Sequence, residues 1–304
     1  MNDKAIHPAD APLYPIREVS RLTGVNSVTL RAWERRYGLI RPRRTPKGHR
    51  LYARDDIARI ERILQWLGRG VPVSQVRDLL DQPESASPAP DIDTGDWASQ
   101  RHHLVAAVET LDLPRLEALF NQSLALYPIN VALSELWQPA IAQLEEQWRD
   151  RLGSDLQRRV LESFLRTRVG TRLYHANHVA RGPHLLISRL PDESAPLQSL
   201  LLALAASHDN YRVTLLDNAL PFNELTLAVE QLGVAAIVLL SDQAERTELI
   251  RRHLPRLAEQ LAIPVCLAGS VTRIRTAEFE HSDVELLGDD PVQSVSRLHP
   301  LLSR

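Results

Sequence analysis

Apolar residues recur along this chain with two periods, and the change from one to the other divides it. Over residues 16–22 a short amphipathic pattern ends at Gly24, a natural helix stop. Asn26 or Ser27 can cap a second helix running to Tyr37 before Gly38. Two short helices joined at a glycine are a helix-turn-helix candidate. Residues 40–52 are punctuated by Pro42, Pro46 and Gly48 and return through Leu51 and Tyr52, which predicts a small hairpin wing. Asp55 is expected to cap a helix over 56–67 with Ile57, Ile60, Ile63, Leu64 and Leu67 inward, and a further helix is expected over 74–80.

From 97 to 181 the period stays helical. Leu104, Val105 and Val108, then Leu116, Leu119 and Phe120, then Leu133, Leu136, Trp137, Ile141 and Leu144, then Leu161, Phe164, Leu165 and Val169 fall at helical spacing, and Pro114, Pro128, Pro139 and Gly153 separate about four helices. Beyond Gly182 short apolar runs at 184–190, 212–217, 235–241, 264–270 and 284–290 alternate with helical pattern. That is the signature of parallel strands joined by crossover helices. The expected fold class is therefore multi-domain α and α/β: a winged helix-turn-helix over 14–80, a helical bundle over 97–181, and a five-stranded doubly wound, flavodoxin-like domain over 182–304. Residues 1–13 are polar and expected to be loose. The Pro-, Ser- and Asp-rich stretch 81–96 has the chemistry of a linker.

Charge sharpens this division. Residues 14–80 hold fifteen Lys and Arg against six Asp and Glu, a charge of +9, which leaves −11 for the rest of a chain of net charge −2. A basic module attached to an acidic body fits nucleic-acid binding by the first under the control of the second. The single cysteine, Cys266, excludes an internal disulfide and a Cys-based zinc site. No apolar run is long enough for a membrane helix and the first thirty residues lack a signal-peptide core, so the expected compartment is the cytoplasm.

The stretch from Val28 to Tyr52 carries eight Arg or Lys and only one acid, Glu34. A helix exposing Arg beside aromatics and running into a basic ribbon fits duplex DNA, where cations meet phosphates and long donors reach base edges. Thr29, Arg31 and Arg35 are expected to share one face of the second helix, with Arg31 as the base-edge contact. Arg43, Arg44, Lys47, His49 and Arg50 on the wing are expected to grip phosphates, with the Tyr52 hydroxyl donating to one. Trp33, three residues from Leu30, reads as core.

The motifs YPIREVSRLTGV, SVTLRAWERRYGLI and RPRRTPKGHRLY together resemble the MerR family of winged-helix transcription regulators. The Trp-Glu-Arg-Arg-Tyr version is similar to the subgroup of light- and cobalamin-responsive and curli regulators. The resemblance implies a transcription regulator, not an enzyme, that binds promoter DNA at an inverted repeat as a homo-oligomer, expected to be a dimer. It also implies RNA polymerase as a further partner and leaves activation and repression both open.

The carboxyl-terminal two-thirds resembles a cobalamin-binding module, a helical bundle followed by a flavodoxin-like domain, through LEEQWRDRL, VTLLDNALPFNELTLAVEQLGVAAIVLLS and IPVCLAGS. The family's Asp-x-His-x-x-Gly, whose His ligates cobalt, is absent: the loop reads Arg189-Leu-Pro-Asp-Glu-Ser-Ala-Pro. The bundle's Glu-His pair is matched by Glu162-Ser163. No cofactor is therefore expected, cobalamin included, unless a ligand other than His serves. Trp148, Glu162, Asp192, Gly269 and Ser270 are the candidate lining of an effector pocket, the last two at a strand end where doubly wound sheets bind ligands. His175 and His178 lack a third ligand at metal-site spacing, so no metal is expected. The chain has no Walker loop, dinucleotide fingerprint or nucleophile elbow.

Overall fold

The computed structural model describes residues 13–68, 71, 73–80, 95–149, 154–191 and 196–302. The expected loose start at 1–12 and most of the expected linker, 81–94, lie outside the described residues. Packing divides the chain between Leu144 and Glu145 into two compact units.

The first unit opens with a two-residue strand β1 (Tyr14–Pro15) and α1 (Ile16–Thr23), which stops at Gly24 with φ of 69°. Asn26 caps α2 (Ser27–Ala32), its side chain accepting the N–H groups of Val28 and Thr29 at 3.0 and 2.8 Å. The helix then continues through a single π-helical turn, Trp33–Tyr37, and ends at Gly38, again left-handed. The wing is β2 (Arg43–Arg44) paired antiparallel with β3 (Arg50–Tyr52). Its tip is closed by Thr45 N–H to the His49 carbonyl at 2.9 Å and Gly48 N–H to the Thr45 carbonyl at 2.8 Å.

Two local details depart from the sequence reading. β1 adds a third strand beside β3, Tyr14 opposite Tyr52, and two residues are too few to show an alternating pattern. The next helix, α3 (Arg54–Gly68), begins two residues earlier than expected, and Asp56 rather than Asp55 acts at its start by accepting the Ala53 N–H at 2.8 Å. That is the reciprocal half of a capping box. α4 (Val73–Leu80) packs on α3.

The same unit includes α5 (Gly95–Glu109), α6 (Leu113–Leu126) and α7 (Ile129–Ala132), the last leading through another π turn into α8 (Gln138–Trp148), within which the division between the units falls. Asp112 caps α6 through the Arg115 N–H, and Pro114 occupies its first turn, where no N–H is missed. Phe120 and Trp137 meet edge to face at 5.3 Å, and the Trp137 indole donates to Ser123 Oγ at 3.1 Å, so the core's large aromatic has its polar atom satisfied.

In the second unit, α9 (Ser154–Asn177) turns Leu161, Leu165, Val169 and Leu173 inward and packs on α10 (Leu197–His208). The sheet contains β4 (His184–Arg189), β5 (Arg212–Leu215), β6 (Ala236–Leu240), β7 (Val265–Ala268) and β8 (Val284–Gly288). All are parallel in the order β5-β4-β6-β7-β8, the flavodoxin-like arrangement expected from the alternating runs. α10 and α13 (Pro291–Leu302) pack together, while α11 (Phe222–Leu232) and α12 (Leu254–Gln260) contribute Leu225, Leu254 and Leu257 to an apolar layer with Ile237, Leu239 and Leu267. Every residue of β6 and β7 is buried, which explains their unbroken apolar reading. Cys266 is one of them, and burial followed by the Glu285 carboxylate pushes its thiol up to about 12, so it behaves as a small hydrophobe.

Gly269 follows β7 with φ of +94°, and a Cβ there would stand 2.3 Å from the Ser241 carbonyl oxygen. Gly269→Ala is expected to destabilise the protein by about 1–3 kcal/mol through backbone strain alone, with the steric overlap added. Urea denaturation followed by circular dichroism measures it; an unchanged midpoint would refute this packing role.

Candidate nucleic-acid interface

Helical geometry separates the three residues expected on one face of the second helix. At about 100° per residue Arg31 lies roughly 200° from Thr29 around the axis. The structure follows: Thr29 is fully buried, Arg31 is half-buried and Arg35 is exposed. Thr29 is thus corrected from a DNA contact to an inward-facing residue, and its Oγ1 has no hydrogen-bond partner among the described residues. Arg31 and Arg35 remain as the outward-facing pair of the recognition segment.

On the wing, Arg43, Lys47 and His49 are exposed, and their side chains form no hydrogen bond or ion pair within the described residues. Arg44 and Arg50 behave differently. Both close on Glu34, Arg44 Nη2 at 2.7 Å from Oε1 and Arg50 Nε on Oε2. The Arg44 side chain is 51% exposed but that of Arg50 only 17%, so Arg50 is committed to tying the wing to the recognition segment and Arg44 retains a solvent-facing edge. Burial raises the Glu34 pKa, yet hydrogen bonds from Arg50 and Arg44 outweigh it and hold the carboxyl below its ordinary range. Glu34 is an anion, so the cationic pattern of the sequence gives it no role.

Tyr52 is also corrected. It is fully buried, its hydroxyl has no partner among the described residues, and burial followed by the Glu34 carboxylate pushes its phenol up to about 12. It cannot reach a phosphate in this conformation and serves as the core residue beneath the wing.

Trp33 is core, as its spacing from Leu30 indicated, but its surroundings were not legible. Its indole N–H donates to the Leu126 carbonyl at 2.9 Å, 93 residues away, and α2 packs on α6. The recognition helix is thereby fastened to the helices that follow the linker.

Of the candidate pocket residues, Gly269 alone lines the small cavity at the carboxyl edge of the sheet. Trp148 is buried, donates to Gln157 Oε1 at 3.1 Å and lies 5.3 Å from the Arg158 guanidinium. Glu162 is 3% exposed and accepts from Arg159 at 3.1 Å through one oxygen, while the other has no partner among the described residues. The Ser270 N–H is taken by Asp242 Oδ1 at 2.9 Å. Asp192 lies outside the described residues. At the carboxyl edge of the sheet the cavity beside Gly269 is only about 10 Å³, lined by Gln198, Leu202, Leu240 and their neighbours but by neither Trp148 nor Glu162. A cobalamin held by a histidine after the first strand does not fit, because residues 189–196 contain no imidazole. His175 and His178 instead flank Tyr174, with ring centroids 5.4 and 4.7 Å away, and the described residues hold no cluster of metal-ligating side chains.

Two helices in helix-turn-helix order, a basic three-stranded wing and exposed arginines on the second helix define a winged-helix DNA-binding module. Residues 14–83 match the family model described as MerR HTH family regulatory protein, and this module belongs to that family. Over 282 residues the chain is 29% identical to the HTH-type transcriptional repressor CarH of Myxococcus xanthus, covering 90% of this chain and 94% of that protein. It is 38% identical over 135 residues to the HTH-type transcriptional regulator MlrA of Escherichia coli (strain K12), covering 44% of this chain and 53% of that one. Among solved structures, the methanol:cobalamin methyltransferase complex MtaBC from Methanosarcina barkeri aligns at a TM-score of 0.37 and 9% identity, over 72% of this chain and 86% of that chain. No described helix is long and apolar enough to cross a membrane.

Because the folded Glu34 pKa is depressed, its stabilisation is fully present above the ordinary carboxylate value of 4.5 and is lost as pH falls through the lowered folded value. Glu34→Gln is expected to weaken the wing's attachment at neutral pH and to flatten the acid limb of the thermal stability curve; equal acid limbs in the two proteins would refute the assignment. Trp33→Phe, which removes the donor to the Leu126 carbonyl together with the pyrrole half of a fully buried indole, is expected to cost at least about 1–3 kcal/mol, the cavity adding to the lost bond. Calorimetry tests this, and an unaltered unfolding temperature would count against the hydrogen bond.

Proposed function

We propose that the protein is a sequence-specific, DNA-binding transcriptional regulator, not an enzyme. The observation that carries this reading is the match of residues 14–83 to the MerR HTH family together with the outward placement of Arg31 and Arg35 on the second helix. Arg31 reads a base edge in the major groove, Arg35 supports it, and Arg43, Lys47 and His49 hold phosphates on either side of the wing tip. Arg44 contributes through its exposed edge, and Arg50 through the ion pair that sets the angle of the wing. The target is promoter DNA carrying an inverted repeat, bound by a homodimer, because two symmetric half-sites demand two symmetric modules. RNA polymerase is the further partner in this reading. The carboxyl-terminal region serves oligomerisation and the sensing of a signal or partner.

A second reading gives that region a small-molecule ligand, cobalamin among the options, held without histidine or through pairing with a cofactor-bearing relative. The flavodoxin-like strand order supports it, as does the similarity to CarH along nine-tenths of the chain. Incubation with adenosylcobalamin, removal of the excess and a visible spectrum separates the two readings: a retained corrinoid band favours the second, a colourless protein the first.

Selection of bound genomic fragments identifies the operator. Arg31→Ala is then expected to lose about 1–3 kcal/mol of discrimination between operator and random duplex while the fold persists. Electrophoretic shifts that show undiminished discrimination would remove Arg31 from the base-reading role.

A further inference from the structure

Below the recognition segment, the loop leaving Gly38 passes over α3 and α4 and leaves an open cleft of about 320 Å³. Its lining is Gly38, Leu39, Arg41, Asp56, Arg59 and Arg77, three guanidinium groups to one carboxylate. The carboxylate is already engaged, since Asp56 accepts the Ala53 N–H at the start of α3. Arg59 forms the floor, with Nε donating to the Leu39 carbonyl at 2.6 Å. Arg77 lies across Gly38, its Nη1 3.6 Å from where a Cβ would stand. Both Arg41 and Arg77 are exposed, and neither has a hydrogen bond or ion pair within the described residues. Cations gathered around one cleft repel each other, and an anion among them turns that repulsion into attraction. Guanidinium forks suit the oxygens of a phosphate, which they grip in pairs.

We propose that this cleft receives a phosphate of the DNA backbone, gripped by Arg41 and Arg77 above the Arg59 floor and flanking the stretch held by the wing. The proposal rests on the DNA-binding reading above and extends the protein's footprint beyond the helix and wing. A backbone phosphate is favoured over a free ion by the openness of the cleft, which admits a continuous strand, and by its place in the chain. Arg41 stands two residues before the wing's first strand, so a backbone following the wing arrives at the cleft.

Full-length wild type, the Arg41→Gln/Arg77→Gln double variant and the Arg41→Lys/Arg77→Lys double variant are titrated with a random-sequence duplex and with the selected operator across a range of salt concentrations, followed by fluorescence anisotropy. The slope of log K against log salt is expected to shrink by about 0.9 for each phosphate lost in the glutamine variant. The loss should be equal on both duplexes, leaving operator preference unchanged, and the lysine variant should keep the wild-type slope. A glutamine variant with an unchanged slope and an unchanged unfolding temperature overturns the proposal. If inorganic phosphate raised the wild-type unfolding temperature, but not the glutamine variant's, while the DNA slope stayed the same, the cleft would be a free-anion site and the proposal would equally fail. A wild type without affinity for either duplex would overturn the DNA-binding reading as well, which distinguishes the two failures.

Discussion

Glu34 is the one acid between Val28 and Tyr52, and two wing arginines close on it. The geometry of the whole basic surface depends on that pairing, because a wing of two short strands has little buried area of its own with which to set its angle to the recognition helix. By holding Arg50 and Arg44, the carboxylate converts a flexible ribbon into a fixed arm and neutralises part of the repulsion that eight cations in a short stretch would otherwise create. The buried Tyr52 ring beneath the wing completes the same device: its phenol is withheld from solvent so that the strand carrying it can pack.

The neighbouring residue works in the opposite direction in space. Trp33 points away from the proposed DNA face and donates to the Leu126 carbonyl, so that two adjacent residues of a π-helical turn face a wing and a helix bundle respectively. Arg35, two residues on and therefore roughly 200° round the helix axis from Trp33, stays exposed. The Trp33 bond joins the recognition segment to the helices that follow the linker.

In the second unit the backbone at Gly269 approaches the Ser241 carbonyl closely, at the edge of the sheet where doubly wound folds commonly hold ligands. The loop after β4 lacks the imidazole that the resembled module uses. Both observations locate the departure at the carboxyl ends of the central strands, while strand order and the apolar layers keep the common pattern.

Much of the architecture was legible in residue order. Period and punctuation located the helix-turn-helix, the wing and all five parallel strands, because each of those elements buries its apolar face by a rule that repeats every two or 3.6 residues. The charge division and the motif match exposed the DNA module for the same reason: both are properties of composition and spacing. What residue order did not reveal were pairings between distant groups. Thr29 was expected outward although helical geometry already opposed it, and Arg50 was read as a phosphate contact without knowledge of Glu34 beside it. Sequence by itself determined which segments form elements and which carry cationic charge, since those follow from local propensity and pattern. Only the tertiary structure decided which cations remain available and which are spent on holding the fold, because that depends on where a carboxylate or a carbonyl many residues away comes to rest.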